Sequence, residues 1–445
     1  MKLLRVPTAL SLRTWRSALR GGVQVRSKVS WVLCIAAVWC VAVPAASGQQ
    51  KAQAPRLKGY FAVRRPAHAE MDALRAQAVS SAASVTATTL PLWTFDVESS
   101  RDGNHYPGVM VGRDPFNKPG SVTVPTKVVP LRVVTHTIGT SVDPKTGAIT
   151  TKAGVTTFNP SVADAACLNA PNDVPTKLFE QSPILNPATF DFGGTIVGTT
   201  QYIDAFQRGN FWNANKSVPS DYHVELSAQF LDPITIDVPA PLGLALATSA
   251  LGPPNFCAPM AIIDFSWFDT FLTGTIIPAL ASKGVNPTTF PIFFVHNLVW
   301  ATPVTNLGGC CALGYHSITG FPVPTQTYSP SDFDSTGLFG PGAEDTAVMS
   351  HEVGEWMDDP FTINPTPAWG GGQVPVGVCQ NNLEVGDPLT NTNAPPIVMS
   401  NGFTYHLQEL AFFSWFLGAP SVGVHGWFSD NGTFLTDAGP ACIPQ

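Results

Sequence analysis

Charge is scarce in this sequence. Asp, Glu, Lys and Arg make up only 12% of its 445 residues, which excludes a highly charged disordered chain or a long salt-bridged helical scaffold. No apolar stretch beyond the N-terminal leader reaches 18 residues without a breaker, so no helical membrane span is expected in the mature part. Cys-x-x-Cys is missing, and with it the usual zinc-ribbon and thiol-redox readings. Gly-x-Ser-x-Gly, a P-loop and a dinucleotide fingerprint are missing as well, and no internal repeat is visible. Acid is absent before Glu70, although that stretch is rich in Lys and Arg.

This last absence shapes the N-terminus. Lys2, Arg5, Arg13, Arg16, Arg20, Arg26 and Lys28 precede an apolar run from Trp31 to Val43, and Pro44-Ala45-Ala46-Ser47-Gly48 follows. A basic region, a short apolar core and small residues are the parts of a cleavable signal peptide, expected over 1–48; the alternative is an uncleaved N-terminal anchor with Trp31 and Trp39 near the interface. Subtracting its seven positive charges from a formal net charge of −7 leaves about −14. So acidic a chain is a poor partner for nucleic acid, whose binding rests on Lys and Arg, and no membrane association is expected after cleavage. The expected location is secreted, extracellular or periplasmic.

What is abundant agrees with export. The 38 glycines and 41 prolines, with much Thr, Ser and Asn, suit a loop-rich β protein. Beyond the leader remain Cys167, Cys257, Cys310, Cys311, Cys379 and Cys442, an even set that predicts three disulfides. The adjacent pair Cys310-Cys311 is expected to take two separate partners.

The organisation reads as follows. Residues 49–90 form a flexible linker or propeptide. Residues 91–260 are a β-rich region, with strands expected at Val122–Val134, Asp221–Phe230 and Ile234–Val238 and a short helix within Gly198–Trp212. Residues 261–445 form an α+β region that carries the His351 helix. There we expect a helix over 262–282 kinked at Pro278, a buried strand at Phe290–Trp300, and a closing helix at Tyr405–Phe416. The expected fold class is α+β: a β-rich N-terminal half with a disulfide-stapled, helical, zincin-like metal-site region at the C-terminus.

The chemistry concentrates in Ser350-His351-Glu352-Val353-Gly354-Glu355. On a helix from about 343 to 359, His351, Glu355 and Asp358 or Asp359 share one stripe, because positions four and seven or eight apart lie on one face. Glu384-Val385-Gly386-Asp387 offers two more carboxylates in a loop that Cys379 would staple. The candidate metal ligands are therefore His351, Glu355, Asp359, Glu384 and Asp387. Zinc would take His351, Glu355 and one of Glu384 or Asp387, leaving room for water; Glu352 is then the candidate catalytic base. Calcium is the alternative, held by Glu355, Asp358, Asp359, Glu384 and Asp387 in a structural role. His316 is expected to be a polar residue of the cysteine-rich loop rather than a ligand, and His406 a core-edge residue.

SHEVGEWMDDPF, followed by Trp369 and LEVGDPL, resembles a group of secreted, largely uncharacterised bacterial proteins with a His-Glu-x-x-Glu and Glu-x-Gly-Asp pattern. The pattern is partly similar to that of exordium-like, phosphate-induced secreted proteins. TTQYIDAFQRGNFW, DYHVELSA, GGCCALGYH and YHLQELAFFSWF extend the resemblance over most of residues 195–420. More distantly, the helix is similar to that of zincin metallopeptidases, His-Glu-x-x-His. There His351 matches a zinc ligand and Glu352 the base, while Glu355 stands where the second His belongs; Glu384 matches a third ligand. The resemblance implies a zinc-dependent peptidase acting on a protein or peptide. The rival expectation is a non-catalytic extracellular or cell-wall binding protein, with structural calcium or no metal.

Overall fold

The computed structural model describes residues 60–63, 89–168, 170, 172–319, 325–370 and 379–442. The chain divides into two units, Met1–Gly48 and Gln49–Gln445. The expected leader and most of the expected linker lie outside the described residues.

The protein is β-rich. Its first strands are β1 (Tyr60–Val63), the hairpin β2 (Leu92–Glu98) and β3 (His105–Val111), and the long β4 (Ser121–Val142). Then come β5 (Ile149–Phe158), the hairpin β6 (Ala188–Phe192) and β7 (Thr195–Thr200), β8 (His223–Phe230), β9 (Ile234–Asp237) and β10 (Gly243–Leu246). The second half adds β11 (Met260–Asp264), β12 (Phe290–His296), β13 (Leu298–Ala301), β14 (Ala312–Thr319), β15 (Gln326–Phe333), β16 (Pro365–Gly370) and β17 (Cys379–Asn382).

Seven strands close on themselves. The pairings run β4–β12–β15–β14–β13–β11–β10 and back to β4, with parallel and antiparallel neighbours mixed. Closing a sheet removes exposed edges. The strand β4 spans the ring because it changes partners along its length, and its two prolines sit where partners change. Pro125 lies just before the register with β12 begins at Thr126, and Pro130 falls between the part of β4 paired with β8, which ends at Val128, and the part paired with β9, which begins at Leu131. A proline lacks a ladder donor, so a gap between partners accommodates it.

The expected single strand Phe290–Trp300 is two strands separated by Asn297, whose φ is 52°. Asn tolerates this left-handed conformation better than most residues. The turn sends β12 to β4 and β15, and β13 to β11 and β14. Burial on both faces explains the apolar run: Phe290, Ile292 and Phe294 join one core cluster, while Phe293 and Val295 join another.

The second half is not a helical region, which corrects that expectation. Its aromatic and β-branched runs build ring strands, and its helices are few and short beside them. Helix α1 (Tyr202–Asn210) falls where a helix is expected. The helix expected over 262–282 is present but starts later, because residues up to Asp264 belong to β11: α2 (Phe265–Phe271), with Asp264 capping the amide of Trp267, continues through a π-helical turn at Leu272–Ile276 into Ile277–Ala279, which contains Pro278. The helix α3 (Ala347–Asp358) carries His351 and stops before Pro360. At the end of the chain, α4 covers only Phe413–Leu417. The preceding segment is extended because its amides bond outward, Leu410 to Asp430, Ala411 to Val385 and Phe412 to Phe428. Burial on all sides, rather than helical periodicity, accounts for its apolar composition.

Three cysteine pairs stand at disulfide distance: Cys167–Cys257, Cys379–Cys442 and Cys310–Cys311. The last corrects the expectation of separate partners, since the other four cysteines are already taken. The pairings agree with maturation in an oxidising, extracytoplasmic setting. Among the described residues no helix is long and apolar enough to cross a membrane.

Candidate metal centre

Helix α3 packs on β14 and β15. Trp356 stacks on Phe290 at 3.6 Å between ring centroids, and its indole N–H donates to Thr327 Oγ1 at 3.0 Å. On the β14 side the approach depends on Gly314, where a Cβ would come within 2.7 Å of Val348 and 2.9 Å of Glu352. Strand alternation puts His316, two residues on, on the same face of β14 as Gly314. His316 thereby reaches the acidic stripe of α3.

Two ligand-type triads result, each with its atoms within 4.8 Å of one another: His351, Glu355 and Asp387, and His316, Glu352 and Glu355. In the first, His351 Nε2 lies 3.0 Å from Glu355 Oε1 and 3.9 Å from Asp387 Oδ1. In the second, His316 Nδ1 lies 3.4 Å from Glu352 Oε2 and 3.6 Å from Glu355 Oε2, while its Nε2 is 3.7 Å from Glu384 Oε2. All six residues are buried, with Asp387 the most exposed at 7%.

The Glu384–Asp387 loop is fixed from several directions. Gly386 lies against the His351 imidazole, in space that a Cβ would take from the ring. The amides of Gly386 and Asp387 donate to Glu355 Oε1 at 3.2 and 3.1 Å. Asn382 Nδ2 donates to Glu384 Oε1 at 2.6 Å, and Gln380 Nε2 to Asp387 Oδ2 at 2.8 Å. Cys379–Cys442 anchors the strand that leads into it, as expected of the staple.

Gln408 sets the chemistry of His351. Its Nε2 donates to the Gly386 carbonyl at 2.6 Å, which turns Oε1 toward His351 Nδ1 at 3.1 Å. An amide oxygen accepts, so His351 carries its proton on Nδ1 and presents the Nε2 lone pair to Glu355 and Asp387. Ser350 contributes indirectly, its Oγ accepting the Gln408 amide at 2.9 Å.

The interior is hard on charge. Burial, reinforced by His351, holds His316 down to about 3, and burial holds His351 down to about 4. Burial, then repulsion from neighbouring carboxylates, pushes Glu352 and Glu355 well above the usual range. Glu352, Glu355, Glu384 and Asp387 all face the imidazoles of His316 and His351. Neutral imidazoles beside carboxyls pushed toward the neutral form leave the cluster little charge of its own; a metal cation would let the carboxyls ionise as ligands.

Of the residues singled out in the sequence, His351, Glu352, Glu355, Glu384 and Asp387 come together. Asp359 does not join either triad. The helix ends at Asp358, and Asp359, at φ −138° and ψ 65°, turns its carboxylate to the amides of Ile363 and Asn364. Asp358 points to Gln207 and Asn210 on α1. His316, expected to be a bystander, is central, and Gln408 had no signal beyond its place in an apolar run. His406 bonds to Asp345 at 2.6 Å, away from the centre. Comparison with protein-family models, curated proteins and solved structures gives no match.

Proposed function

We propose that this is an exported metal-binding protein that holds a divalent transition metal, zinc in the first instance, on His351, Glu355 and Asp387. The observation that carries the reading is the His351 ring. Its tautomer is set by Gln408, and its Nε2 is directed at two carboxylates in a buried interior. Neutral imidazoles favour zinc over calcium, which takes six to eight oxygen ligands.

The chemistry we propose is hydrolysis by metal-activated water, in keeping with the resemblance to zincins. That resemblance would make Glu352 the base, and its place one residue along α3 keeps it beside the ligands. Peptides are the substrate class the resemblance supports. One observation favours a second reading, a structural metal without turnover: the centre is enclosed, and Glu352 is fully buried.

Elemental analysis of the purified full-length protein tests the first claim. At least one zinc per chain, reduced by His351→Ala, is the expected result. No bound transition metal, with the melting temperature unmoved by that substitution, would overturn it. Calcium alone, raising the melting temperature, would replace zinc through ligand linkage. Cleavage of a mixed peptide library, lost on chelation and restored by zinc, separates the hydrolase from the structural reading.

A further inference from the structure

We propose that the centre is built for two metal ions bridged by Glu355, the second held by His316 and Glu352. This rests on the metal-binding reading above and deepens it.

The geometry of one carboxylate carries the argument. Glu355 turns Oε1 to His351 Nε2 at 3.0 Å and Oε2 to His316 Nδ1 at 3.6 Å. Each oxygen thus faces a different imidazole, which is the arrangement of a bridging carboxylate. Two-metal sites need ions roughly 3.5–4 Å apart, a span one carboxylate can bridge. On the His351 side the set is completed by Asp387, and on the His316 side by Glu352 Oε2 at 3.4 Å from Nδ1.

The second set has a carboxylate on its far side. With His316 Nδ1 facing Glu352 and Glu355, the opposite nitrogen faces Glu384 Oε2 at 3.7 Å, and Asn382 holds the other Glu384 oxygen. At that separation Glu384 is a neighbour rather than a hydrogen-bond partner, unlike Gln408, whose Oε1 lies 3.1 Å from His351 Nδ1.

An independent observation agrees. Glu352 Oε1 is buried without a hydrogen-bond partner, and buried polar atoms in folded proteins normally have one. Under this assignment Glu352 is a ligand, and the zincin role of base does not pass to it.

Stoichiometry tests the proposal. Metal-stripped full-length protein is titrated with Co2+ and followed by calorimetry and by visible absorption. Two equivalents are expected for the wild type and one for Glu352→Gln and for His316→Ala. Mn2+-loaded wild type gives an independent readout that needs no variant, an exchange-coupled paramagnetic resonance signal in place of isolated Mn2+. One equivalent in the wild type, with no exchange coupling, overturns the two-ion centre and leaves the His351 site standing. No binding at all overturns both.

Discussion

Among the described residues, two places bring a histidine and two carboxylates within metal-binding reach, and they differ in what else surrounds them. At the α3 centre, Glu352 Oε1 and His316 Nε2 are buried without hydrogen-bond partners. At the second place, Asp204, His223 and Glu225 also lie within 4.8 Å of one another, but the grouping is already complete. His223 Nδ1 meets Asp204 Oδ2 at 2.8 Å, and the Arg208 guanidinium lies 3.2 Å from His223 Nε2. Asp204 takes further bonds from Thr200 and the Val224 amide. A guanidinium at hydrogen-bond distance already supplies the positive charge a metal would bring. The same residue types therefore give a polar strut in one place and a candidate metal centre in the other. Neighbours, rather than donor identities, separate the two.

The contrast can be tested hard at Gly386. A methyl group there would overlap the His351 ring, so Gly386→Ala should displace the imidazole. We expect loss of metal from the His351 set and a stability cost of about 1–3 kcal/mol, the usual scale of overpacking. Retained metal content and an unchanged urea midpoint would mean that the loop does not hold the ring.

A second measurement concerns Asp164, which belongs on the strut side of the comparison. Burial would raise its carboxyl, but hydrogen bonds from His296 and Ser335 win and lower it from 3.8 to about 2. An acid depressed on folding stabilises the protein above its unfolded value, and that stability disappears as pH falls from about 4 toward 2. The full effect is about 2 kcal/mol. In urea melts between pH 6 and pH 2, Asp164→Asn should remove this part of the acid sensitivity. Parallel wild-type and variant curves would refute it.

The smallest effect is expected at His223. His223→Ala should leave metal content unchanged and lower stability by about 1 kcal/mol, the scale of one or two hydrogen bonds. Loss of metal there would break the comparison outright, because it would make the second grouping the binding site.

Much of the α3 centre is legible in the sequence because its parts are local. His351 and Glu355 are one helical turn apart, Glu384 and Asp387 flank a glycine, and Cys379 stands close by. Even here local reasoning overshoots at Asp359, since the stripe holds only while the backbone stays helical, and the helix ends one residue too soon. The segment 405–416 misleads for a related reason. An apolar run buried on every side has no period to read, and its amides were claimed by Ser350, Asp430, Val385 and Phe428.

By itself the sequence determined the β-rich character, the paired cysteines and the helix that presents His351, Glu352 and Glu355. Each follows from composition or from spacing within a few residues, where backbone geometry relates neighbours directly. Closure of the seven-strand ring, the mutual pairing of Cys310 and Cys311, and the arrival of His316 and Gln408 beside His351 were decided only by tertiary structure. His316 is 35 positions from His351 and Gln408 is 57. Over such separations no helical or strand period relates two side chains; the packing of α3 on β14 and the long-range bonds of the extended segment do.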